Sequence, residues 1–137
     1  MTGSCHCGAV SISLAHKPEY MFDCNCSMCS KHGVLWGYFA PSEVVISGET
    51  QSYTRADRDL PSACVHFCKV CGCTTHWTPT VSISPESMGA NMRLFATEEL
   101  AGIALHYPDG KSWSGQGAFG MRRESVILKA SAKSISH

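Results

Sequence analysis

The chain has 137 residues, equal numbers of acidic and basic side chains, and a formal net charge of +0 at pH 7. That length suits one domain with its own core, and the neutrality argues against a long electrostatic footprint for nucleic acid or an anionic membrane. No apolar run approaches the ~20 residues needed to span a bilayer, and the opening MTGSCHCGAV lacks the regions of a secretory signal, so a cytoplasmic location is expected.

Taken in order, the elements are mostly strands. Val10, Ile12 and Leu14 alternate with Ser11 and Ser13, the pattern of a half-buried strand. Residues 20–23 predict a second short strand. VLWGYFA (34–40) and EVVIS (43–47) are rich in β-branched and aromatic residues, with Pro41 between them, and TQSYTR (50–55) follows Gly48 as the return arm of a hairpin. CVHF (64–67) and TTHW (74–77) flank a cysteine turn. ANMRLF (90–95) predicts a strand and TEEL (97–100) one helical turn. In the tail, 122–133, Val126, Ile127 and Ala130 stand at helical spacing, so a C-terminal helix is expected there. Many short strands with Gly- and Pro-rich turns predict a mainly β, antiparallel domain, and such a thin core gains from metal staples.

The cysteines are the chemically informative residues. There are nine: Cys5, Cys7, Cys24, Cys26, Cys29, Cys64, Cys68, Cys71 and Cys73. An odd number cannot pair completely, and spacings of one and two residues read as metal ligands before disulfides. Cys68-Lys69-Val70-Cys71-Gly72 is a zinc knuckle, and Cys5-His6-Cys7-Gly8 is a second pair followed by glycine. Together they offer four sulfurs for a closed structural zinc. CNCSMC (24–29) offers three, Cys24, Cys26 and Cys29, which suits a zinc with one open position.

Other assignments of these thiols stay open at this point. The knuckle could be a redox pair, seven thiols could share one larger cluster, and the triplet could be closed by His6, His32 or His66. Cys64 and Cys73 read as buried residues outside the ligand sets. Trp36, Phe39, Trp77 and Phe95 read as core or pocket lining.

GSCHCGAVSISL (3–14), FDCNCSMCSKHG (22–33) and HFCKVCGC (66–73) resemble, in order and spacing, the three cysteine motifs of the glutathione-dependent formaldehyde-activating enzyme family, a domain also found in centromere protein V. NMRLF (91–95) and HYPDGKSW (106–113) are similar to the family's later strand and its Asp-Gly-x-x-Trp tail. The resemblance covers 3–113 and implies a zinc-bearing β-tent of the Mss4-like type. It also implies a structural zinc on Cys5, Cys7, Cys68 and Cys71, and an active-site zinc on Cys24, Cys26 and Cys29. The implied activity, classed with carbon–sulfur lyases, joins glutathione to formaldehyde as S-(hydroxymethyl)glutathione. GCTTHW departs from the family's usual pattern, with Cys73 and two threonines where aliphatic residues are frequent.

Three thiolates on Zn²⁺ leave a net charge of −1. Such a zinc is a weak generator of hydroxide but a good partner for a soft ligand, and a substrate thiol is the natural fourth ligand. Sulfur attack on a small aldehyde yields an alkoxide that needs a proton, for which Ser27, Ser30 and His32 are candidates. The carboxylates of a glutathione-like thiol would call for cations, with Lys31, Arg55, Arg58, Arg93 and Lys111 available and Trp113 at a pocket rim. The rival readings are a zinc scaffold for protein interaction, with CNCSMC as a metal-organised loop, and a redox-regulated thiol cluster.

Overall fold

The structure, a computed structural model, describes residues 1–57, 63–81 and 86–130. It is mainly β. The strands are β1 (Thr2–Ser4), β2 (Ser11–Leu14), β3 (Tyr20–Phe22), β4 (Trp36–Phe39), β5 (Val44–Ser47), β6 (Thr50–Thr54), β7 (Ala63–Cys68), β8 (Thr74–Pro79), β9 (Met88–Asn91), β10 (Ala104–Pro108) and β11 (Met121–Ile127). A short helix, α1 (Ser27–His32), interrupts them. A three-stranded sheet runs β1-β2-β5, and an eight-stranded sheet runs β11-β10-β3-β4-β9-β8-β7-β6. The pairings are antiparallel, as expected, except that β3 and β10 run parallel.

Period-two alternation divides the large sheet into two faces. Met21, Phe39, Ala90, Leu105 and Tyr107 point to one side and pack with Ile12 and Leu14 of the small sheet, forming the main core with Met92 and Phe95. Their neighbours Phe22, Trp36, Tyr38 and Trp77 point to the other side, towards α1. Phe39 and Phe95 are therefore core, whereas Trp36 and Trp77 line a cavity. Close packing on this second face requires Gly89, because a Cβ there would occupy the space of the Trp77 indole.

Three local expectations are corrected. β5 and β6 do not form a hairpin around Gly48: β5 pairs with β2 and β6 with β7, in different sheets. Gly48 has φ 103°, and a Cβ there would collide with the Ala9 carbonyl, so this turn redirects the chain instead of folding it back. The strand expected over 90–95 ends at Asn91, where a 3-10 turn (Met92–Leu94) begins. The buried Asn91 accepts from the N–H groups of Leu35 and Arg93 and donates to the Thr74 carbonyl at 2.8 Å, capturing groups that a longer ladder would have used.

The C-terminal helix is also not found: residues 121–127 form β11, antiparallel to β10. β10 has an edge whose polar groups need partners, and β-branched Val126 and Ile127 suit a strand. The pairing continues through Leu128, which exchanges backbone hydrogen bonds with Gly102 and Ile103. The end of the expected helix, 131–133, lies outside the described residues. The short helical turn at Thr97–Leu100 is present, as a 3-10 turn. The unusual threonines after the knuckle are accommodated: Thr75 is fully buried, and its hydroxyl bonds the His66 carbonyl and His76 Nδ1.

Candidate metal centres and active site

Two separate sulfur groups assemble, and they are the two expected sets. In each, the ligand atoms all lie within 4.8 Å of one another: Cys5, Cys7, Cys68 and Cys71 in the first, Cys24, Cys26 and Cys29 in the second. A single seven-thiol cluster is therefore not formed. Cys64 and Cys73 belong to neither group and are half-buried, not fully buried as expected.

The first group joins the turn after β1 to the turn between β7 and β8. Tetrahedral Zn–S bonds of ~2.3 Å place sulfurs about 3.8 Å apart. Cys7 Sγ lies 3.7 Å from Cys5 Sγ and 3.6 Å from Cys68 Sγ. Backbone N–H groups point at the sulfurs: Val10 at Cys5, Ala9 at Cys7, and both Val70 and Cys71 at Cys68. The Cys71 N–H holds the Cys68 thiol below its ordinary range, and the N–H groups of Cys73 and Cys7 bring Cys71 down to about 5. Two thiolates are thus favoured by the turn itself, and the donor set fits a closed, soft divalent metal site.

The second group forms where β3 passes into α1. Cys26 caps the helix, its sulfur accepting from the Cys29 N–H at 3.3 Å, while Gly33 closes the other end in the left-handed conformation, donating to the Cys29 carbonyl. This one-turn geometry brings Cys26 and Cys29 together, and the extended residues before it add Cys24. The Cys26 N–H reaches Cys24 Sγ, and the Trp36 indole N–H reaches Cys29 Sγ at 3.3 Å. Each sulfur thus has its own N–H donor, a fit to thiolate ligands. Side-chain hydrogen bonds with Cys24 and Cys29 hold the Cys26 thiol far below its ordinary range, and those with Cys24 and Cys26 push Cys29 well above it. Among the described residues no fourth Cys, His, Asp or Glu completes the set. His32 bonds the Met28 carbonyl, and His66 bonds Thr78 and stacks on His76.

The three sulfurs open on a cavity of about 340 Å³. Its walls are largely aromatic: Phe22, Trp36, Tyr38, Trp77, Trp113 and Phe119. Of the proposed cations, Arg55 lines the cavity, Lys31, Arg93 and Lys111 do not, and Arg58 lies outside the described residues. Arg55 makes a two-pronged ion pair with Asp57 at 2.7 and 2.8 Å, and Asp57 accepts from Ser27 of α1 at 3.2 Å. The Arg55 guanidinium holds Asp57 well below the usual carboxylate range. The candidate proton donors are directed elsewhere: Ser27 to Asp57, Ser30 to the Cys26 carbonyl, and His32 to the helix backbone.

Sequence reasoning missed Tyr38 and the clamp behind the sulfurs. Asn25, inside CNCSMC, donates to Asp109 Oδ1 at 2.8 Å and accepts from the Lys111 N–H at 2.9 Å. Between those residues, Gly110 packs so tightly on Cys24 Sγ that a Cβ would collide with it. Trp113 packs against Phe119 in a tilted arrangement with ring centroids 4.5 Å apart, and both line the cavity. The Asp-Gly-x-x-Trp stretch was the available signal: its spacing places the clamp, the close approach and the wall within five positions.

The profile of the glutathione-dependent formaldehyde-activating enzymes matches residues 1–107. A Rhodobacter sphaeroides protein of known crystal structure is similar, with 30% identity and a TM-score of 0.57 over 69% of this chain and 87% of that one. With the paired sulfur groups and their order along the chain, the match establishes that this protein belongs to the glutathione-dependent formaldehyde-activating enzyme family.

Proposed function

We propose that the protein is a single zinc-binding domain, working in the cytoplasm, that activates a glutathione-like thiol for reversible addition to formaldehyde or a related small aldehyde. In this reading it is a carbon–sulfur lyase of the S-(hydroxymethyl)glutathione synthase kind. Cys5, Cys7, Cys68 and Cys71 hold a structural zinc, and Cys24, Cys26 and Cys29 hold the zinc at the reacting centre. The observation that carries the reading is the three-sulfur group opening on a cavity with no fourth donor among the described residues. When bound, zinc supplies a position that keeps a thiol deprotonated near neutral pH.

The chain's own residues account for the rest. The aromatic walls exclude water, which strengthens polar contacts inside the cavity. Arg55 offers a cation for a substrate carboxylate. In the forward direction a C–S bond forms between the thiol sulfur and the aldehyde carbon. The C=O π pair moves to oxygen, and the proton released by the thiol ends on that oxygen. Among the described residues Tyr38 is the hydroxyl-bearing side chain that lines the cavity, and in this reading it donates a hydrogen bond to the developing oxyanion. Burial raises its pKa well above the ordinary phenol value, so it remains a donor at neutral pH.

Zinc per chain, measured in the native protein and in Cys26→Ala, tests the metal assignment, with hemithioacetal formation followed by NMR. Two zincs falling to one with the fold retained is expected, together with loss of rate. One zinc in the native protein, undiminished in the variant, would refute the open-site assignment. Two zincs with no rate above the spontaneous reaction would refute the enzymatic reading in favour of a scaffold.

A further inference from the structure

The composition of the cavity wall bears on which thiol it takes, an inference that rests on the reading of the triplet as a thiol-binding centre. Phe22, Trp36, Tyr38, Trp77, Trp113 and Phe119 surround the sulfurs, joined by Met28 and Pro108. Among the described residues no Lys, His, Asp or Glu lines the space, and Arg55 is the cationic side chain that does. Arg55 is largely withdrawn from solvent, with 11% of its side chain exposed. Its Nε and Nη2 are committed to Asp57, which leaves Nη1 uncommitted among the described residues.

Glutathione carries two carboxylates and an ammonium, and groups brought against an aromatic wall without partners lose hydration that nothing restores. One half-buried guanidinium, with one nitrogen uncommitted among the described residues, matches one carboxylate. At about 340 Å³ the cavity is at the small end of ligand sites, and a flat apolar body can lie against aromatic faces in offset or edge contacts.

We infer that the preferred thiol is a mercapto acid with an aromatic or bulky apolar body and a single carboxylate, the sulfur at the Cys24–Cys26–Cys29 group and the carboxylate on Arg55. Specificity for the acid therefore resides in Arg55, and specificity for the body in the six aromatic side chains. The Arg55–Asp57–Ser27 chain fixes the guanidinium relative to α1, and so the distance between carboxylate and sulfur that a substrate must match.

The test is binding, read on the zinc-loaded protein by quenching of the fluorescence of Trp36, Trp77 and Trp113, which all line the cavity. The probes are 4-(mercaptomethyl)benzoate, benzyl mercaptan and glutathione. The benzoate is expected to bind at least tenfold more tightly than glutathione. Arg55→Gln should weaken the benzoate about tenfold and leave benzyl mercaptan within twofold, and Arg55→Lys should recover part of the loss.

Glutathione binding as tightly as the benzoate would overturn the inference. So would an Arg55→Gln variant that weakens both aromatic thiols alike. The comparison of thiols on the native protein needs no variant, so it survives any folding defect in Arg55→Gln. The two levels of argument also separate. Selective binding with no turnover of formaldehyde refutes the proposed reaction and keeps this inference. Turnover with glutathione preferred does the opposite.

Discussion

Replacing Gly110 by alanine tests the link between the Asp-Gly-x-x-Trp stretch and the triplet. The added methyl would overlap Cys24 Sγ and lie 3.3 Å from the Cys26 Cβ and 3.7 Å from Phe119. The backbone cannot easily retreat, because Asp109 and the Lys111 N–H on either side are both bonded to Asn25. The sulfur must therefore move, and it belongs to a group whose members lie within 4.8 Å of one another. Overpacking of this kind costs about 1–3 kcal/mol. At about 1.4 kcal/mol per tenfold, a cost carried by the metal complex weakens binding roughly five- to 150-fold. The assay is competition for zinc with a chromophoric chelator. Gly110→Ala should lose one zinc at a chelator concentration where the native protein keeps two, and retain the other. Gly120→Ala, where a Cβ meets nothing within 4 Å, is the control and should match the native protein. Equal affinity of Gly110→Ala and native protein for the second zinc would refute the reasoning.

Tyr38→Phe removes the proposed oxyanion donor without emptying the cavity, so turnover should fall about 100-fold with thiol binding unchanged. An unaltered rate in the NMR assay would exclude the role. His76, buried and stacked 4.2 Å from His66, has its pKa lowered to about 4 by burial. Between about 4 and the ordinary 6.5 the unfolded chain binds a proton that the folded one does not, so stability falls as pH drops through this window. At about 1.4 kcal/mol per pKa unit the loss is about 3 kcal/mol. His76→Gln should lack this component, which would appear as non-parallel curves of urea midpoint against pH for native and variant protein. Parallel curves would contradict it. Cys68→Ala opens the four-sulfur group that ties the N-terminal turn to the β7–β8 turn. Because such zinc sites contribute ~10–16 kcal/mol of apparent binding energy to folding, the variant should show no cooperative thermal transition by circular dichroism; a native-like melt would count against a structural zinc there.

Much of the metal chemistry was legible in the sequence because it is local. Cys24, Cys26 and Cys29 converge within one turn of chain whatever the rest of the fold does, and Cys68 and Cys71 share a single knuckle. The alternation of Ile12 and Leu14 with serines, and of Trp36 and Tyr38 with Gly37 and Phe39, likewise encodes burial in the period of the strand itself. Local reading failed where a distant partner decides the outcome. The tail spaced like a helix became β11 because β10 offered an open edge, and the Gly48 turn parted β5 from β6 because Ala9 lies against it.

The candidate site divides the same way. The two cysteine pairs and the triplet follow from spacings of one or two residues, over which the backbone leaves sulfurs little freedom, whereas the meeting of Cys5 and Cys7 with Cys68 and Cys71 is tertiary. The cavity is tertiary too: Tyr38 and Trp77 reach it through the register of β4, β9 and β8, Arg55 through the bond of its partner Asp57 to Ser27 of α1, and Gly110 through a clamp on Asn25 more than eighty positions earlier. Those approaches are set by sheet order and side-chain packing, quantities that no window of sequence contains, and on them depends which molecule can reach the sulfurs.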